Sequence, residues 1–125
     1  MKVIIAILFL LVVSLVIHAT GSLDGFTVWN VLPVALGFGV FLIGLRSQQA
    51  MAVGCISFGV SVTAQVVLFH LAWLFDWGGT ATSSSTSALA FIFVPIWAIV
   101  FASIIGLVAW GIGKVIWRRA RSASA

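Results

Sequence analysis

The stretch from Ala88 to Gly113 reads ALAFIFVPIWAIVFASIIGLVAWGIG and contains no charged side chain. A helix needs about 20 apolar residues to cross a bilayer core about 30 Å thick, and this stretch is long enough to do so. Three further stretches of the chain are also predominantly apolar: Val3 to Ala19, Val28 to Leu45 and Ala50 to Phe75. The sequence therefore predicts four membrane-spanning helices.

The composition of the whole chain agrees with this prediction. Its 125 residues are 63% hydrophobic and 6% charged, with a mean hydropathy of +1.33, whereas a soluble domain averages about 45–50% apolar and about 25% charged residues. Alternating segments typical of membrane β-barrels are absent from the sequence, and helices satisfy their own backbone groups in lipid. We expect an all-α membrane protein in which residues 1–125 form one bundle of four transmembrane helices.

The charged residues predict the orientation of the bundle. A cytoplasmic N-terminus places every basic residue on the inner side: Lys2, Arg46, Lys114, Arg118, Arg119 and Arg121. Both acidic residues, Asp24 and Asp76, then lie outside. The positive-inside rule therefore favours cytoplasmic N- and C-termini, with residues 114–125 as a basic cytoplasmic tail. This pattern, without transit or lipidation signals, is typical of a bacterial inner-membrane protein.

Two features of the ends have alternative interpretations. The N-terminal segment also fits a secretory signal peptide, because it has Lys2, an apolar run and small residues near Ala19 and Gly21. Removal of that peptide would leave three helices. The basic sequence Arg118-Arg119-Ala120-Arg121 fixes topology, or else binds anionic lipid. The net charge of +4 does not indicate nucleic acid, because the basic residues are few and lie at the ends of segments.

Small and polar residues on the third and fourth segments predict how the helices associate. Contacts between helices in lipid depend on small residues that let backbones approach and on polar side chains that bond across. Such residues recur at helical spacing on both segments, and we assign the following to helix packing: Gly54, Ser57, Gly59, Ser61, Gln65, Ala98, Ala102 and Gly106. The alternative for Ser57, Ser61 and Gln65 is the lining of a small pore.

A second group of polar residues is expected at the outer face of the membrane. It consists of His18, Asp24, Asn30, His70 and Asp76. Each histidine precedes an aspartate by six positions, which is compatible with a duplicated helical hairpin. The group has no metal-ligand spacing and no paired acid and base, and the chain has no glutamate. We therefore expect neither enzymatic activity nor a metal, haem or other cofactor.

With no catalytic group and little chain outside the bilayer, we expect a protein that acts by binding another membrane component. Accessory subunits of membrane complexes have this form. Inner-membrane immunity proteins, which block a toxin arriving from the periplasm, resemble the chain in size and number of spans. A homo-oligomer is a further arrangement. The alternative function is a small channel or transporter, but ion coupling usually requires an ionisable residue at mid-membrane, where this chain has only Gln65, Thr63 and serines.

Overall fold

The computed structural model describes residues 2–19 and 24–123, and within these ranges it contains helices and connecting turns but no strand. Four α-helices follow one another along the chain: α1 (Lys2–Ala19), α2 (Asp24–Arg46), α3 (Gln49–Leu74) and α4 (Ala90–Ala123). Single 3₁₀ turns at Trp77–Gly79 and Ser87–Leu89 lie in the connection between α3 and α4. The chain is an all-α membrane protein, as its composition predicts.

The number of helices long and apolar enough to span a membrane differs from the prediction. Over the described residues there are three such helices, at Thr27–Arg46, Gln49–Leu74 and Ser87–Ala123. The helix α1 has 18 residues, and over the described residues its apolar stretch is the shorter Ile7–Ala19, which is not among these three. The structure thus supports three spans rather than the predicted four.

The last helix extends well beyond the predicted end of its span near Gly113. The 34 residues of α4 correspond to about 51 Å at about 1.5 Å per residue, which exceeds a bilayer core of about 30 Å. No glycine or proline follows Gly113, and the lysine, arginine and alanine residues there favour helix. The basic residues of the predicted tail, up to Arg121, therefore lie on a helix that projects out of the hydrocarbon region.

The central element of the bundle is α3, which contacts each of the other three α-helices and packs most extensively on α4 and α2. Aliphatic side chains from all four helices fill the space between them: Val13, Ile17, Val34, Val62, Val66, Ala98 and Ala102. Two of these, Val13 and Ile17, belong to α1 and are almost completely enclosed. The first helix is thus part of the same core as the other three.

Candidate functional site

Two glycines, Gly54 and Gly106, let the backbones of α3 and α4 come into close contact. A Cβ atom placed on Gly54 would lie 2.8 Å from the Cβ atom of Trp110 and 3.0 Å from the carbonyl oxygen of Gly106. A Cβ atom on Gly106 would in turn lie 3.1 Å from both the carbonyl oxygen of Gly54 and the Cβ atom of Phe58. Ala98 and Ala102 are buried on α4. These small residues therefore lie inside the chain's own α3–α4 interface.

Glycines also set the distance between α2 and α3. A Cβ atom on Gly59 would lie 2.5 Å from the carbonyl oxygen of Gly37 and 2.6 Å from the Cβ atom of Phe41. A Cβ atom on Gly37 would collide with the side chain of Val62. The backbones of α2 and α3 are thus in direct contact near the middle of both helices, because neither glycine carries a side chain there.

Gln65 is held by hydrogen bonds to α3 itself and to α4. Its Nε2 atom donates to the hydroxyl oxygen of Ser61 at 3.0 Å and to the Ser61 carbonyl oxygen at 3.2 Å. It also lies 3.5 Å from the carbonyl oxygen of Ala98 on α4. Ser57, one turn below Ser61, is half-buried. The amide of Gln65 is therefore engaged within the bundle, in the kind of contact that joins helices in lipid.

An open apolar groove of about 490 Å³ runs along the α3–α4 interface. Its floor includes the small residues Gly54, Cys55, Ser103 and Gly106. Larger side chains form its walls: Val40, Met51, Phe58, Leu107 and Trp110. All of these residues belong to the three helices that are long and apolar enough to span a membrane, so the groove lies within the apolar part of the bundle.

A polar contact between α2 and the beginning of α4 compensates for the proline in α4. Pro95 has no N–H group, so the carbonyl oxygen of Phe91, four residues earlier, loses its usual helical donor. The Nδ2 atom of Asn30, which is completely buried, donates to that oxygen at 3.2 Å. The neighbouring Trp29 donates its indole N–H to the carbonyl oxygen of Ile92 at 3.1 Å. Two adjacent side chains of α2 thus bond the first turn of α4.

His70 is the second completely buried polar residue. Its Nδ1 atom lies 2.8 Å from the carbonyl oxygen of Val66, which accepts the ring proton. Two aromatic rings, Phe69 and Phe91, contact the imidazole edge-on. Trp73 extends the cluster by contacting both phenylalanine rings. The Nε2 atom is buried and has no hydrogen-bond partner among the described residues.

Asp76 organises the connection that follows α3. The residue adopts a left-handed backbone conformation (φ 48°, ψ 42°). Its carboxylate accepts hydrogen bonds from the hydroxyl of Thr82 at 2.6 Å, the N–H of Ala81 at 2.8 Å and the N–H of Thr82 at 3.3 Å. The bond from the Thr82 hydroxyl, followed by that from Ala81, lowers the pKa of Asp76. This support of the loop is present at neutral pH and is lost as the pH falls through that lowered pKa.

The outer polar group does not form one site. Asn30 and His70 are brought together around Phe91, whereas Asp76 bonds its own loop and His18 is exposed at the end of α1. Asp24 begins α2, and its side chain lies outside the described residues. Over residues 2–19 and 24–123, no three His, Cys, Asp or Glu side chains form a group that could hold a metal ion.

Comparisons with protein-family models, with curated proteins and with solved structures found no match to this chain. Its class is defined by its own fold, that of a small helical membrane protein with closely packed glycine interfaces.

Proposed function

We propose that this chain is a multi-pass protein of the bacterial inner membrane that acts by binding another membrane protein. The partner places a transmembrane helix in the groove between α3 and α4. The role is that of an accessory subunit of a membrane complex, or that of an immunity-type protein that keeps an invading toxin from assembling. Both roles require the same physical event, which is recognition of a helix within the bilayer.

The groove is the observation that carries the proposal. Helix association in lipid relies on close packing, so helix–helix interfaces are rich in small residues. The groove presents Cys55 and Ser103 beside the Gly54–Gly106 contact, flanked by bulky Phe58 and Trp110. A recess with a small-residue floor and large apolar walls matches the shape of a helix surface. An occupant would gain van der Waals contact there without burying a charge.

The alternative function, a small pore, receives less support from the packing. Fully buried Val34, Val62 and Val66 occupy the space between the helices. Gln65, the most polar side chain near mid-membrane, donates to Ser61 and approaches the Ala98 carbonyl oxygen. A water-filled path would need that space and those polar groups.

Cys55, the only cysteine of the chain, provides a direct test of groove occupancy. A photoreactive benzophenone attached to Cys55 in native membranes is expected to form a covalent adduct with one protein of defined mass. The matched control is a Cys55→Ser, Ile105→Cys variant, because Ile105 is exposed on α4 and does not line the groove. Adducts from that position are expected to contain lipid alone.

Two results would contradict partner binding. One is lipid adducts of equal yield from Cys55 and from the control position. The other is ion flux through liposomes that hold the purified wild-type protein alone, abolished by Gln65→Leu. Mass spectrometry of the adducts and a fluorescent flux assay measure these outcomes.

Retention of the first helix in the bundle is part of the proposal and has its own support. Val13 and Ile17 of α1 are buried in the common core, so removal of the first helix as a signal peptide would expose the core to lipid. The orientation rests on the basic residues, all of which lie at the helix ends opposite Asp24 and Asp76.

Labelling of single cysteines tests this topology. In a Cys55→Ser background, Ser84→Cys in the exposed outer loop is expected to react with an impermeant thiol reagent from the periplasmic side. Ser122→Cys, exposed near the end of α4, is expected to react only after the membrane is opened. Reaction of both positions from the same side would contradict the orientation, and an intact mass without the first helix would contradict its retention.

A further inference from the structure

A small cavity lies at the inner end of the bundle, where α4 passes the beginning of α3. Its volume is about 160 Å³, and its lining is strongly basic: Gln49, Ala50, Lys114, Trp117, Arg118 and Arg121. Lys114, Arg118 and Arg121 are spaced four and three residues apart, so they share one face of α4. A Cβ atom on Gly113 would lie 3.0 Å from the Cα atom of Ala50, so this glycine brings that face against α3.

Neither acidic side chain of the sequence lies near these cations. The chain has two acidic residues, and Asp24 and Asp76 stand at the opposite ends of α2 and α3 from the cavity. Arg121 donates instead to the neutral amide oxygen of Gln49 at 3.0 Å. The ammonium group of Lys114 lies 4.3 Å from the centre of the Trp110 ring. Three basic side chains around one small cavity, Lys114, Arg118 and Arg121, create a positive potential that attracts an anion.

The depth of the cavity identifies the source of that anion. Tryptophan residues concentrate at the level of the lipid headgroups, and here Trp117 lines the cavity while Trp110 contacts Lys114. Basic pockets between transmembrane helices on the cytoplasmic side typically bind phosphate-bearing headgroups. A guanidinium group can donate two parallel hydrogen bonds to a phosphate, which suits Arg118 and Arg121 to this ligand.

We propose that the cavity of Gln49, Lys114, Arg118 and Arg121 is a binding site for the phosphate headgroup of an anionic phospholipid. The lipid's acyl chains would lie along α4 on the membrane side of Trp117, and its phosphate would receive charge-assisted hydrogen bonds from the three basic residues. The proposal rests on the chain's location in a membrane and is independent of the partner in the groove.

Lipid binding by the purified full-length protein tests the proposal. After delipidation in mild detergent, the protein is titrated with phosphatidylglycerol or phosphatidylcholine, and bound lipid is counted by native mass spectrometry. We expect tight binding of one phosphatidylglycerol and no comparable binding of phosphatidylcholine. Arg118→Gln is expected to weaken phosphatidylglycerol binding about tenfold, as expected for loss of a hydrogen bond to a charged group.

Arg119→Gln is the matched control, because it removes the same charge from the adjacent exposed position, which does not line the cavity. It is expected to change binding less than twofold. Equal weakening by both variants would overturn the site and indicate diffuse attraction to charge. Inorganic phosphate is titrated in parallel, and binding of phosphate as tight as that of phosphatidylglycerol would overturn the lipid as its source.

Discussion

Replacing Gly59 by alanine is expected to lower the free energy of unfolding of the bundle by about 1–3 kcal/mol, the usual cost of overpacking a well-packed core. The added methyl group would lie 2.5 Å from the carbonyl oxygen of Gly37 and 2.6 Å from the Cβ atom of Phe41. The Gly37 oxygen is a backbone atom of α2, and the Phe41 Cβ atom is bonded directly to that backbone. A change of side-chain rotamer therefore cannot relieve the strain. The two helices must separate, and the contacts of Val62 with α2 weaken with them.

Gly39→Ala and Gly111→Ala are the controls for this prediction. Both glycines lie inside helices, and a Cβ atom on either would meet nothing within 4 Å. Alanine is about 1 kcal/mol more favourable than glycine within a helix, so these variants are expected to be as stable as the wild type or more stable. Denaturation of the purified protein in mixed micelles measures all three. A Gly59→Ala variant as stable as Gly39→Ala would contradict the close α2–α3 contact.

The glycines of α2 also show what the sequence can and cannot predict. Spacing alone identifies Ala35 and Gly39 as a small-residue pair just as readily as Gly37 and Gly44. In the structure Gly37 and Gly44 face α3, whereas Gly39 is exposed. Lipid-facing and core-facing positions are both apolar in a membrane helix, so hydropathy carries no signal that would separate the two faces.

A polar contact is easier to predict from the sequence when both partners lie on one helix than when they lie on different helices. Ser61 and Gln65 are four residues apart, and the structure joins them by a hydrogen bond of 3.0 Å. The acceptor on α4, the carbonyl oxygen of Ala98, could not be predicted, because the rotation of α4 about its axis is set by tertiary packing. The basic cavity is an intermediate case: Lys114, Arg118 and Arg121 share one helix face by their spacing, but nothing in the sequence places Gln49 beside them.

The sequence explains only in part why the outer polar residues lie apart in the structure. Asn30 is buried because it supplies the donor that Pro95 removes, and a proline inside a helix is a signal that such a donor is needed. The sequence around Pro95 does not show that this donor comes from α2. Asp76 lies beyond the end of α3, and its carboxylate accepts hydrogen bonds from the turn that it begins. These bonds hold Asp76 in the loop and away from Asn30.

Substitution of Asn30 by leucine is expected to destabilise the bundle by about 1–3 kcal/mol, the cost of leaving a buried polar group without its partner. A hydrogen bond between membrane helices contributes on average only about 0.6 kcal/mol, because the separated helices find other partners. The larger value applies here, since the Phe91 carbonyl oxygen is near a proline that cannot donate in place of Asn30. Mixed-micelle denaturation measures the loss.

A double-mutant cycle with Pro95→Ala separates this role of Asn30 from simple loss of packing. Alanine at position 95 restores the N–H group that normally bonds the carbonyl oxygen four residues earlier, so Phe91 no longer depends on α2 for a donor. We therefore expect Asn30→Leu to cost at least about 1 kcal/mol less in the Pro95→Ala background than in the wild type, within the range of coupling between contacting residues. A packing role alone predicts the same cost in both backgrounds, because the leucine would occupy the same space beside Phe91 whether or not its carbonyl oxygen has a donor. Equal costs would thus contradict the assignment of Asn30 as the partner of the proline-freed carbonyl.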